Sequence, residues 1–200
     1  MELNDNAHLA YCTNVHRGNS WDETFHSLEN YVIKVRKNVA AGKRFAIGLR
    51  LSADAAVKLS EKQELVKFQK WLGENDAYVF TINGFPYGDF HGSRVKEKVF
   101  LPDWSAKERL DYTLLLFSIL EELLEHGEEG SVSTLPGSFK EFHPENVIPE
   151  IMQDNLNTCA LEIEKLATAK NLDLHLGMEP EPLGMFETTP ETISFIERLI

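Results

Sequence analysis

Five side chains in this sequence combine the chemistry of a small-molecule site with a shared position near the end of an extended run: Asn14, His16, Arg50, Asn83 and Glu179. Carboxamides and an imidazole exchange hydrogen bonds with hydroxyl and carbonyl groups, an arginine holds an oxyanion, and a carboxylate takes a proton or a cation. Glu179 carries the most weight. It sits in Met178-Glu179-Pro180-Glu181-Pro182, two acids two positions apart, and the proline after each removes a backbone donor and stiffens the exit. Aimed into a concave site, such a carboxylate is costly to bury alone, and a divalent metal bound through hard oxygen and imidazole donors is one economical partner. An ion pair with Arg50 or a lysine is the other. Plain structural roles also exist: His16 bonding the turn at Arg17-Gly18-Asn19, Asn83 opening a turn before Gly84, and Arg50 serving a buried acid.

The elements that must position these groups alternate along the chain. Strand-like runs at His8–His16, Phe45–Ser52, Tyr78–Asn83, Gly130–Leu135 and Leu172–Glu179 are separated by helix-like segments near 21–40, 53–74, 105–126, 147–170 and 189–200. Such alternation implies βαβ units and a parallel sheet, either opened into a doubly wound layer or closed into a barrel. In a barrel, alternate residues of each strand point inward. Phe45, Ile47, Leu49 and Leu51 form an apolar parity against Ala46, Gly48, Arg50 and Ser52, and Leu174, Leu176 and Met178 oppose Asp173, His175, Gly177 and Glu179. Cys12, Asn14 and His16 fall on one parity of the first strand, and Val79, Thr81 and Asn83 on one parity of the third. The inward faces become polar late, at the strand C-termini where barrel enzymes hold their active sites.

The stretch Gly84–Trp104 exceeds the two to six residues usual between a strand and the next helix, which marks it as a lid or binding loop. It mixes glycines and aromatics with His91, Arg94 and Lys96. The two cations are placed to hold a phosphate or carboxylate.

A length of 200 residues with 42% hydrophobic content suits one domain spanning 1–200. The formal charge of −12, from 32 acidic against 20 basic side chains, repels phosphate backbones and argues against nucleic acid as a partner. The two cysteines, Cys12 and Cys159, show no zinc-type spacing and read as reduced thiols. The first residues lack a secretory pattern, and no apolar run approaches membrane-spanning length, so a cytoplasmic protein with no integral membrane segment is expected.

A closed barrel of this type needs about 250 residues, and this chain supplies about five of its eight βα units. Thr188-Thr189-Pro190-Glu191 opens a last helix whose apolar stripe, Ile193, Ile196, Leu199 and Ile200, meets no closing signal. Truncation, and self-association through an open sheet edge, are the expectations that follow.

The runs Tyr11-Cys12-Thr13-Asn14-Val15-His16, Gly48-Leu49-Arg50-Leu51-Ser52, Thr81-Ile82-Asn83-Gly84-Phe85-Pro86-Tyr87-Gly88, Phe90-His91-Gly92, Val95-Lys96-Glu97, Pro102-Asp103-Trp104 and Glu179-Pro180-Glu181-Pro182 resemble the metabolite traffic protein EboE family. That family belongs to the xylose-isomerase-like superfamily of (β/α)8 TIM barrels, which contains sugar isomerases and epimerases. The resemblance implies the N-terminal portion of such a barrel, a small polyhydroxylated or phosphorylated metabolite as ligand, and partners encoded in the same gene cluster. It also implies a divalent metal (Mn, Mg, Zn or Co) whose strand-five ligand maps onto Glu179, and, by a looser match to a histidine after the third strand, His91 as a second catalytic candidate beside Glu179. The strand parity and the long loop make Asn14, His16, Arg50, Asn83, Arg94 and Lys96 the substrate-binding candidates. A non-catalytic metabolite-binding or partner-docking scaffold is the alternative the residues leave open.

Overall fold

Every strand of this protein runs parallel to its neighbours. The structure, a computed structural model, describes residues 1, 3, 7–88, 96–125, 128–143 and 147–199, with Lys96 by its backbone alone. Strands β1 (Ala10–Cys12), β2 (Phe45–Arg50), β3 (Ala77–Asn83), β4 (Glu129–Thr134) and β5 (Asp173–Met178) form one sheet in the order β1-β2-β3-β4-β5. Helices α1 (Trp21–Ser27) and α2 (Ile33–Val39), joined by a π turn over Leu28–Val32, follow β1. Helices α3 (Ala53–Leu59) and α4 (Lys62–Glu74) follow β2, and α5 (Lys107–Leu123), α6 (Glu150–Lys170) and α7 (Thr189–Leu199) follow β3, β4 and β5. The order never reverses as it does in a doubly wound sheet, and right-handed crossovers taken in one direction place every helix on one face. The arrangement is α/β and compatible with an arc of a (β/α)8 barrel.

Local sequence signals set the helix starts. Ser20 and Glu23 form a capping box before α1: the Glu23 N–H donates to Ser20 Oγ at 3.3 Å, and the Ser20 N–H donates to Glu23 Oε2 at 3.1 Å. Ser52 caps α3 by accepting from the Ala55 N–H at 3.1 Å. Before α7, the Thr188 and Glu187 N–H groups donate to Glu191 Oε2 at 3.0 and 2.9 Å. Helix α6 ends on Asn171 in the left-handed region, φ 50°, which asparagine tolerates.

The core lies between the sheet and the helices. Ile47, Leu49 and Leu51 from the β2 segment, Val79 and Ile82 from β3 and Val132 from β4 join one buried cluster with Leu28, Phe68, Leu116, Phe117 and Cys159. Fully burying one such aliphatic side chain stabilises the fold by about 1.5–3 kcal/mol. The opposite face carries the register row Cys12, Gly48, Thr81, Ser131 and His175, with Ala10, Ala46 and Tyr78 below it and Asn83, Ser133 and Gly177 above, small or polar apart from Tyr78. On β5 the residues of this parity, Asp173, His175 and Gly177, are exposed.

Two expectations about strand direction change. The first strand stops at Cys12, because Thr13–Val15 closes into a 3₁₀ turn stabilised by the His16 N–H donating to Thr13 O at 3.0 Å. Asn14 and His16 therefore do not continue the parity of Cys12. In β3 the register slips by one residue: Ile47 pairs with Val79 but Gly48 with Thr81, so Phe80 is a bulge. Val79 thus belongs to the helix side, while Thr81 and Asn83 face the other way. The other strands and helices fall where the alternation places them, within a few residues.

Candidate functional site

The C-terminal end of the sheet carries a cleft of about 170 Å³ lined by Asn14, Asn83, Phe85, Pro86, Val99, Phe100, Glu179 and Glu181. The 3₁₀ turn after β1 delivers Asn14. Its geometry depends on Thr13, whose Oγ1 accepts the Arg50 N–H at 2.8 Å and so ties the turn to the end of β2. Asn83 closes β3, and its Oδ1 accepts the Phe85 N–H at 3.1 Å, an Asx turn that leaves Nδ2 as a donor. Glu179 extends β5 by one ladder bond, its N–H donating to Thr134 O at 2.9 Å. Glu181 reaches the same cleft despite Pro180, its carbonyl accepting the Gly184 N–H at 2.9 Å. The apolar wall is built by Phe85 and Phe100, whose rings meet edge to face at 5.4 Å, with Pro86 and Val99 beside them.

Two buried arginines brace this wall. Arg50, 4% exposed, donates from Nη1 to Gly18 O and from Nη2 to Gly88 O, both at 2.7 Å, and so pins the loop after β1 to the loop after β3. Arg109, at the start of α5, is fully buried. Its Nε donates to Pro102 O at 2.8 Å, and its Nη1 donates to Gly84 O at 2.8 Å and Phe85 O at 3.1 Å. The guanidinium also lies over the rings of Tyr87 and Tyr112, at 5.7 and 5.6 Å. Burial pulls Arg109 down to about 10, partly offset by Tyr112, Tyr87 and Asp103, which still leaves it charged at neutral pH. Tyr112, pushed up by burial, donates to Leu51 O at 2.5 Å.

A second polar network locks the loops after β3, β4 and β5 together. Asp103, 8% exposed, accepts the Ser105 N–H at 2.9 Å on Oδ1, and on Oδ2 the Ser138 hydroxyl and His143 Nε2, the latter at 3.2 Å. An ionised carboxylate only accepts, so His143 carries its hydrogen on Nε2, and in the neutral ring Nδ1 is the bare nitrogen. Lys140 pairs with Glu187 at 2.7 Å and Glu191 at 3.4 Å, and the Met185 N–H donates to Ser138 O at 3.0 Å. Gly137, at φ 76°, makes the turn that lets its carbonyl accept the Trp104 N–H at 3.0 Å.

The residues singled out in the sequence divide accordingly. Asn14, Asn83 and Glu179 come together. Arg50 does not line the cleft; its guanidinium is spent on backbone carbonyls. His16 faces the other side of its turn, with Nε2 and Tyr11 Oη 3.1 Å apart and the ring stacked on Tyr31 at 5.5 Å. Partial burial lowers the His16 pKa. It lines a separate open groove of about 580 Å³ with Arg17, Asp22 and His26. A third concavity, about 570 Å³ and lined by His8, Tyr78, Glu129 and Asp173, lies at the N-terminal ends of the strands, away from the functional end of a parallel sheet. His91 and Arg94 lie outside the described residues, and so does the side chain of Lys96. Arg109 and His143 were not among the residues the sequence singled out, and Asp103 figured only in the run Pro102-Asp103-Trp104. The one signal for Arg109 was its place among Leu110, Tyr112 and Thr113 on the buried side of α5.

Among the described residues there is no group of three or more His, Cys, Asp or Glu side chains arranged to hold a metal ion. Among the same residues no helix is long and apolar enough to cross a membrane. The chain matches no known protein family, no curated protein and no solved structure.

Proposed function

We propose that this chain is the five-unit arc of an EboE-like, xylose-isomerase-type barrel and holds a small metabolite at the C-terminal end of its parallel sheet. The observation that carries the reading is that Asn14, Asn83 and Glu179, from the ends of β1, β3 and β5, line one cleft. Side chains contributed by alternate strands form the layers of a (β/α)8 barrel, and the C-terminal layer is where such barrels do their chemistry. Isomerase or epimerase chemistry then assigns Glu179 the role of base, taking a proton next to a ligand carbonyl, with the Asn83 Nδ2 donor and Asn14 orienting the ligand oxygens. The apolar wall of Phe85 and Phe100 excludes water from one side of the reacting centre.

Glu179, Glu181 and the amide oxygens of Asn14 and Asn83 are hard oxygen donors of the kind a divalent metal takes, but among the described residues no group of three or more His, Cys, Asp or Glu side chains is arranged to hold one. No step is therefore routed through one. A phosphorylated ligand would draw on Arg94 and Lys96, and a polyhydroxylated one on the described residues alone. A cytoplasmic location, partners from the same gene cluster and association through the β5 edge complete the reading.

A non-catalytic metabolite-binding role is the second reading. It is favoured by the commitment of Arg50 and Arg109 to backbone carbonyls, which leaves the described cleft without a cation to stabilise a developing oxyanion. One experiment addresses both. Carbonyl-bearing metabolites of about ten heavy atoms are screened by ligand-observed NMR, and those that bind are incubated with the protein in D2O. Exchange of the hydrogen next to the carbonyl, lost in Glu179→Gln, is the outcome expected of the catalytic reading. Binding without exchange selects the second reading, and ligands that bind unchanged to an Asn83→Ala/Glu179→Gln variant remove both.

A further inference from the structure

Resting on the cleft reading above, we propose that its ligand is a small organic cation, an amine attached to an apolar body, in preference to a neutral or anionic molecule. The sign of the cleft comes first. Glu179 lines it with no side-chain partner among the described residues, and no lysine, arginine or histidine is among the described lining residues. The two arginines that brace its walls are turned to the carbonyls of Gly18, Gly88, Pro102, Gly84 and Phe85. A phosphate or carboxylate entering here meets a like charge with no described counter-charge, whereas an ammonium forms a charge-assisted hydrogen bond to Glu179.

The wall supplies the second half of the recognition. Phe85 and Phe100 stand at 68° to each other with centroids 5.4 Å apart, so one presents a face where the other presents an edge. A phenyl face attracts a cation and also covers the apolar body of a ligand. The volume of about 170 Å³ limits that ligand to on the order of ten non-hydrogen atoms, below the usual drug-sized range. At longer range the net charge of −12 steers cations toward the protein and anions away.

The test compares three probes of nearly equal size and shape: 2-phenylethylamine, 2-phenylethanol and 3-phenylpropionate, each titrated into the isotope-labelled protein and followed by NMR. The amine is expected to shift the resonances of Asn83, Phe85 and Phe100 and to bind at least tenfold more tightly than the alcohol, with no saturation by the carboxylate. In Glu179→Gln the amine should fall to the level of the alcohol. The wild-type comparison decides the matter even if that variant fails to fold. An alcohol that matches the amine, or a carboxylate that binds better, overturns the cation inference while leaving the cleft reading intact. If none of the three perturbs these residues, the cation inference falls, and the cleft reading is decided by the metabolite screen above.

Discussion

Replacing Arg109 with methionine removes a side chain whose hydrogen bonds join the two ends of the long β3–α5 connection. Its guanidinium serves Gly84 and Phe85 at the start of that connection and Pro102 near its end. Two effects oppose each other. Charging a group held at about 10, well below its ordinary value, costs the native state about 3 kcal/mol, and methionine returns this. Against it, three carbonyls lose a charged donor in a buried place, each at about 1–3 kcal/mol. The second effect wins by a margin of about 3 kcal/mol, because methionine fills the volume without offering a single N–H. Urea unfolding followed by circular dichroism should place Arg109→Met about 3 kcal/mol below wild type, with Arg109→Lys in between, since an ammonium cannot span the same three acceptors. The sign of the pH dependence follows from the same numbers. The folded state releases its proton before the unfolded state, so the charging cost is complete below pH about 10 and is relieved as pH rises from there toward the ordinary arginine range. A methionine variant within 1 kcal/mol of wild type at pH 7 would refute the assignment of Arg109 as the brace of the cleft wall.

The capping carboxylate of α7 gives an acid-side prediction. Glu191 is held at about 2, below its ordinary 4.5, by the Glu187 and Thr188 N–H groups, the Thr188 hydroxyl and Lys140. A lowered folded-state value contributes stability that is complete above about 4.5 and is lost as pH falls toward 2. Unfolding midpoints of wild type and Glu191→Gln should therefore differ at pH 7 and converge by pH 2; parallel curves would contradict the cap. The two thiols should separate cleanly. Cys12 is exposed, whereas Cys159 is buried and its thiol is pushed up to about 12. A thiol-reactive disulfide should label Cys12 alone in the folded protein and both cysteines in denaturant, and rapid native labelling of Cys159 would place it outside the core.

The alternation of elements was legible because it rests on patterns a few residues wide. Ile47, Leu49 and Leu51 announce a strand with one apolar side, Thr188 with Glu191 announces a helix start, and such signals survive whatever surrounds them. The exceptions have long-range causes. The first strand reads as continuous through His16, yet Thr13 lends its hydroxyl to the Arg50 N–H, a partner 37 positions away, and the backbone turns. The Phe80 bulge leaves no trace in the alternation of its own segment. It becomes visible only against β2, where it moves Val79 to the helix side and keeps Asn83 level with Arg50.

The site divides along the same line. Asn83 and Glu179 were legible because the last residue of a parallel strand points where the strand already points, and Glu181 joined them although Pro180 ends the ladder. Arginine roles were not legible, because a guanidinium goes wherever acceptors remain unsatisfied, and those acceptors belong to loops. Arg50 has the sequence position of an oxyanion holder, but the carbonyls of Gly18 and Gly88 claim both of its terminal nitrogens. Arg109 follows Lys107 and Glu108 and reads as part of a charged, exposed first turn, yet three loop carbonyls and two tyrosine rings draw it fully inside. Buried backbone acceptors must be satisfied, and here the carbonyls of Gly84, Phe85, Gly88 and Pro102, in the connection after β3, take the two arginines. Arg50, which a sequence reading assigns to the ligand, is thus consumed in building the walls around it. Glu179, a carboxylate that no loop carbonyl can use, is left to set the sign of the described cleft.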